Sequence, residues 1–134
     1  YERFVLPCHE RLYAAMTTGP RRLHLCGYAA QHFPVLYHTL GVTAIDGPGP
    51  FVDHGEYLPQ LGPGFSFATQ TDQPVLARGS RAALVGMMRR LLNPRTRLPG
   101  RFQVMGFVQR DTDLENVRHC YELGRRYGSV LAAS

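Results

Sequence analysis

His24 and Cys26 stand two residues apart at the end of a short apolar run that predicts a β-strand over residues 23–26. Because side chains alternate between the two faces of a strand, both point to the same side. An imidazole and a thiolate on one face are two of the ligands of a catalytic zinc, which also needs a third protein ligand and an open position. The alternative is a buried thiol beside a histidine whose hydrogen bonds are already satisfied.

Polar side chains also follow the other predicted strands. In parallel α/β folds, functional groups collect at the carboxyl ends of the strands. Asp46 is there a candidate general acid/base and substrate anchor, and the guanidinium of Arg110 could hold a substrate carboxylate or pair with Asp111. The candidates for substrate binding are Asp46, Asp72, Arg110 and Tyr28.

Strands and helices that would position these residues alternate along the chain. The predicted strands cover residues 23–26, 42–45, 65–69 and 102–106. The first three predicted helices cover residues 2–17, 30–40 and about 53–61. A fourth begins after Ser80 as its cap, and a fifth opens with a capping box at 112–115. This order predicts an α/β fold with a parallel sheet and helical crossovers. Four βα units preceded by a helix would make one half of a (β/α)₈ barrel, and a small doubly wound sheet is the alternative.

Cysteines and apolar residues on the predicted helices lead to more local expectations. The last helix is expected to bury Leu114, Val117 and Tyr121, while Cys8 and Cys120 are expected to be packing residues. Three cysteines without a CxxC pattern indicate free thiols in a reducing cytoplasm.

The composition is that of one globular domain, with 134 residues of which 44% are hydrophobic and 19% charged. All fifteen basic residues are arginines and the net charge is +5. They form no stripe with interleaved aromatic residues, which argues against nucleic acid as a partner. No apolar run approaches the roughly 20 residues that span a bilayer. The chain begins at Tyr1, and we expect a preceding N-terminal half.

Several stretches together resemble the C-terminal half of the uroporphyrinogen decarboxylase superfamily, and the resemblance extends over essentially the whole chain. They are YERFVLP (1–7), HLCG (24–27), LGVTAID (40–46), VDHG (52–55), LGP (61–63), TDLENV (112–117) and RRYG (125–128). The resemblance implies a (β/α)₈ barrel of which residues 1–134 are a single partial domain.

The HLCG stretch is similar to the branch of corrinoid-linked methyltransferases, in which His and Cys hold zinc and a further Cys near the last strand completes the site. Here Met105 and Gly106 stand where that Cys would fall, so a carboxylate or a residue of the other half would have to serve. Many relatives also carry an acidic residue at the position of Tyr28.

Three functions follow as expectations from this resemblance. The first is zinc-assisted methyl transfer between a small methyl donor or thiol and a corrinoid, with His24 and Cys26 as metal ligands, Asp46 as a polar anchor and a corrinoid protein as a possible partner. The second is metal-free decarboxylation of a polycarboxylated tetrapyrrole in porphyrin biosynthesis, a lyase reaction with Asp46 or Arg110 on the substrate. The third is an inactive barrel fragment. A half barrel leaves two strand edges unpaired, so we expect self-association.

Overall fold

The computed structural model describes residues 1–16, 18–50, 56–62, 64–93 and 102–129. Its helices are α1 (Leu6–Ala14), α2 (Phe33–Leu40), α3 (Gln73–Arg78), α4 (Arg81–Leu91) and α5 (Leu114–Ser129). Its strands are β1 (Arg21–His24), β2 (Val42–Asp46), β3 (Ser66–Gln70) and β4 (Phe102–Met105), and short 3₁₀ turns cover Ala30–His32 and Leu58–Gln60. Of the helix expected over 53–61, residues 53–55 lie outside the described residues.

The four strands form one parallel sheet in the order β1-β2-β3-β4, which confirms the α/β prediction. Each strand lies within two residues of its predicted position. The difference matters most at β1, which ends at His24, so that Cys26 lies in the following loop and not in the strand.

The helices of the described chain cover one face of this sheet. Ile45 and Phe67 pack against Phe33 and Leu36 of α2, and a second cluster joins α3, α4 and α5 to Val104 of β4. Each crossover leads to the next strand in the same direction, and right-handed crossovers then leave the helices on a single face. A doubly wound sheet needs a reversal of strand order, which these four strands do not have.

The opposite face, called the open face here, carries the remaining side chains of the strands. A cavity of about 380 Å³ lies on this face, and its lining includes Arg22, His24, Ala44, Asp46, Ser66, Ala68, Gln103 and Met105. The open face is therefore the surface on which strand side chains meet solvent and any ligand.

The outer edge of β1 is partly occupied. The backbone N–H of Leu25 donates to the backbone carbonyl of Asp46 in β2. Backbone groups alternate in direction along a strand, so the N–H and carbonyl of Arg22 point away from β2. The hydroxyl of Tyr13, the buried residue of α1, donates to the Arg22 carbonyl at 3.1 Å. A side chain thus satisfies one backbone carbonyl of this edge.

Helix α3 was not predicted, and its existence changes the role of one candidate. Asp72 precedes it, and the Asp72 carboxylate accepts a hydrogen bond from the Val75 N–H, as an N-cap does. The prediction that Ser80 caps a helix is confirmed, because its hydroxyl accepts from the Ala83 N–H.

Two expectations for α5 are wrong. Thr112 accepts from the Gln109 N–H and the Glu115 carboxylate pairs with Arg118, so no capping box forms. Leu114 and Tyr121 are 72% and 69% exposed. The buried positions are instead Asn116, Cys120 and Leu123, because the helix turns that stripe toward α3 and α4.

The two helical cysteines differ. Cys120 is a packing residue as predicted, whereas Cys8 is exposed on α1, of which only Tyr13 is buried. Cys8 is exposed because α1 lies at the margin of the sheet and packs on the protein along the side that carries Tyr13. No described helix is long and apolar enough to cross a membrane.

Candidate functional site

The register of the sheet places the first two strand ends side by side. His24 is the partner of Asp46 in the β1–β2 ladder, so both side chains stand on the open face. The chain continues from β1 through Leu25 and turns at Gly27, whose φ of +68° favours glycine. This turn keeps Cys26 beside the histidine.

Three predicted site residues come together around the imidazole of His24. Its Nε2 lies 3.0 Å from the Sγ of Cys26, and its Nδ1 lies 3.3 Å from the Oδ1 of Asp46. The side chains of His24 and Asp46 are 52% and 48% exposed, so a ligand can reach them. A neutral imidazole that donates from Nδ1 to the carboxylate has a lone pair at Nε2 for the thiol proton or for a metal.

Gly47 brings the loop after β2 against this imidazole. Its φ is +101°, and a β-carbon added there would lie 2.8 Å from Nδ1 of His24 and 2.6 Å from the carbonyl oxygen of Leu25. Such contacts are closer than any side chain allows. Glycine at position 47 is therefore a condition for the pairing of His24 with Asp46.

The remaining candidates lie apart from this cluster. Asp72 caps α3, Tyr28 is 76% exposed, and Arg110 is exposed in the turn before α5. Asp111 pairs with Arg78, so the proposed pairing of Arg110 with Asp111 is wrong. Within the described ranges no hydrogen bond or ion pair joins Asp72, Tyr28 or Arg110 to His24.

The donor set around His24 fits a metal in part. Nε2 and Sγ are the nitrogen and sulfur donors that zinc prefers, and a carboxylate on the other ring nitrogen is the usual partner of a metal-binding histidine. Among the described residues no group of three His, Cys, Asp or Glu side chains could hold an ion. Met105 lines the same cavity as His24, but its thioether is a weak ligand.

Sequence reasoning missed two features of the site. The contact between Asp46 and His24 depends on the β1–β2 register, which no local pattern of the chain reveals. Arg22, in contrast, could have been found, because the alternation that joins His24 to Cys26 extends back by two residues to Arg22.

A larger cavity of about 600 Å³ lies between β4 and α5, away from the His24 cluster. Most of its lining is apolar, including Leu76, Val104 and Val117, and Cys120 is at its wall. Burial raises the pKa of the Cys120 thiol, so this sulfur is a poor nucleophile at neutral pH. This cavity therefore offers a weaker candidate site than the His24 cluster on the open face.

No family model matches the chain, and a search of curated proteins found no match.

Proposed function

We propose that the chain is one half of a (β/α)₈ barrel of the uroporphyrinogen decarboxylase superfamily, with the open face as part of the barrel interior. The sequential order of four parallel strands, with helices on one face, supports this architecture. The resembling stretches, among them HLCG at 24–27, support the superfamily. Functional residues of such a barrel lie at the carboxyl ends of the strands, which is where His24 and Asp46 stand.

For the function we propose zinc-assisted methyl transfer between a small thiol or methyl donor and a corrinoid. The observation that carries it is the convergence of Nε2 of His24 and Sγ of Cys26, with Asp46 behind the histidine. His24 and Cys26 would hold the metal, and a carboxylate or a residue of the other barrel half would complete the site.

Each protein group has a defined task in this proposal. Asp46 keeps the proton of His24 on Nδ1 and fixes the direction of the ring, and Cys26 offers its sulfur at the strand end. When bound, zinc lowers the pKa of a substrate thiol so that the thiolate is present at neutral pH. Gly47 leaves the space that this arrangement needs.

Decarboxylation of a tetrapyrrole is supported less well by the same contacts. That reaction would place Asp46 or Arg110 in contact with the substrate. Asp46 is already engaged by His24.

The zinc content of the purified full-length protein tests the proposal, with Cys26→Ser as the variant and Cys8→Ser as the matched control. We expect about one zinc per chain in the wild type and in Cys8→Ser, and loss of zinc in Cys26→Ser. Cys8 is an exposed thiol on α1, so its removal tests for adventitious binding to any free cysteine. A wild type without zinc would leave the decarboxylase or an inactive site.

A further inference from the structure

The guanidinium of Arg22 stands on the open face and has no partner among the described residues. No hydrogen bond or ion pair of its guanidinium occurs within the described parts of the chain, and the side chain is exposed. Its neighbour Arg21 is different, because the Arg21 guanidinium donates to the carbonyl oxygens of Leu40 and Tyr13. Arg21 thus links α1 and α2 to the sheet, and Arg22 is available to an anion.

Small side chains surround Arg22 and leave room for a ligand. Ala44 is its ladder partner, and Ser66 is in turn the partner of Ala44. Arg22 lines the cavity of about 380 Å³ that contains His24, and also an adjoining cavity of about 310 Å³. Barrel interiors are ordinarily filled by bulky branched residues, so this combination of small residues and one arginine resembles a binding site more than a packed core.

The charge of these cavities favours an anion. Their charged or ionisable lining groups among the described residues are Arg22, His24 and Asp46, and Asp46 is already paired with His24. A guanidinium binds a carboxylate through two parallel hydrogen bonds, which fixes both the position and the direction of the ligand.

We propose that Arg22 is the anchor for a substrate carboxylate, and that the substrate is a small thiol carrying that carboxylate. This deepens the proposed function and rests on it. Arg22 and His24 share a face two residues apart, which separates their backbones by about 7 Å. A carboxylate on Arg22 and a sulfur near His24 and Cys26 therefore belong to one small molecule.

Calorimetric titration of the full-length protein with 3-mercaptopropionate tests the proposal. The probes are the acid and its uncharged methyl ester, and the proteins are wild type, Arg22→Gln and Arg90→Gln. Arg90 is exposed on α4, so Arg90→Gln removes one positive charge away from the open face. We expect the acid to bind Arg22→Gln at least about tenfold more weakly than wild type, and Arg90→Gln as tightly as wild type. The ester should bind wild type as weakly as the acid binds Arg22→Gln.

Equal binding of the acid to wild type and Arg22→Gln would overturn the anchor, and so would equal binding of acid and ester to wild type. If Arg22→Gln fails to fold, Arg22→Lys replaces it: Lys retains the charge without the fork, and intermediate affinity is expected. Wild-type affinity in Arg22→Lys would contradict a bidentate anchor.

The two proposals fail separately. Zinc without an effect of Arg22→Gln on carboxylate binding would leave the metal site and remove the anchor. Arg22-dependent carboxylate binding in a protein without zinc would leave the anchor and remove zinc-assisted transfer.

Discussion

At the scale of single residues, Asp46 and Asp72 differ although both follow a strand. Asp46 touches the imidazole of His24, whereas Asp72 accepts from the Val75 N–H at the start of α3. The first carboxylate orients a candidate ligand and the second stabilises a helix. Their sequence contexts are similar, and only the contacts separate the two roles.

We therefore predict different effects for Asp46→Asn and Asp72→Ala. Asp46→Asn should weaken zinc binding by roughly 10- to 100-fold, because Nδ1 of His24 loses its carboxylate partner. Asp72→Ala should leave zinc affinity unchanged and lower the free energy of unfolding by about 1 kcal/mol, because α3 loses its cap. Competition with a zinc chelator and urea denaturation measure the two quantities. An unchanged zinc affinity in Asp46→Asn would speak against the orienting role.

The three cysteines should differ in their rate of alkylation. In metal-free protein we expect iodoacetamide to modify the exposed Cys8 and Cys26 first and Cys120 last, because burial raises the pKa of the Cys120 thiol. Zinc should protect Cys26 and leave Cys8 reactive. Mass spectrometry of a time course measures this order, and a fast Cys120 would contradict the packing of α5.

The raised pKa of Cys120 also predicts how stability depends on pH. The folded chain holds the thiol proton to higher pH than the unfolded chain. The free energy of unfolding should therefore fall as the pH rises above the ordinary pKa of a thiol. Cys120→Ala should reduce that slope in urea denaturation between neutral and alkaline pH.

At the scale of elements, the loop after β2 controls the His24 site. We predict that Gly47→Ala costs at least about 1 kcal/mol, because residue 47 has a positive φ, and that it also displaces His24. Gly49→Ala is the matched control, since a β-carbon at position 49 meets nothing within 4 Å. Thermal unfolding and zinc content measure both effects. Normal zinc binding by Gly47→Ala would show that the loop does not set the position of His24.

Alternation of strands and helices was enough to predict four parallel strands and the cap at Ser80, because these features depend on local apolar patterns and turn residues. Helix α3 was not predicted, because it has only six residues and follows Asp72 directly. The buried face of α5 was mispredicted for another reason. Leu114 and Tyr121 repeat with helical spacing, and so do Asn116, Cys120 and Leu123, so only packing decides which stripe is covered.

The candidate site was partly predictable for the same physical reason. The alternation of side chains along a strand predicted that His24 and Cys26 lie together. The two side chains are in contact, although Cys26 comes after the end of β1. The partnership of His24 with Asp46 depends on contacts between residues 22 positions apart. Such a pairing is a property of the sheet, and no segment of the chain contains it.

At the scale of the whole molecule, β4 is the last strand of the sheet among the described residues, and its side chains line an apolar cavity. We predict that the isolated chain of 134 residues self-associates through β4. Gln103→Lys should shift the equilibrium toward monomer, because a charge on an edge strand opposes pairing. Gln109→Lys, in the exposed loop after β4, is the control. Sedimentation equilibrium measures the association, and a wild-type monomer that unfolds cooperatively would contradict the prediction.

The hydrogen bond from Tyr13 to the carbonyl of Arg22 has a consequence for the size of such assemblies. If both margins of the sheet accepted a neighbour, copies could add head to tail without limit and form a fibre. In the isolated chain the Arg22 carbonyl is already satisfied by an α1 side chain, so β4 is the margin that pairs more readily and growth favours two copies joined through β4. A single phenolic hydroxyl would then favour a finite pair over a polymer.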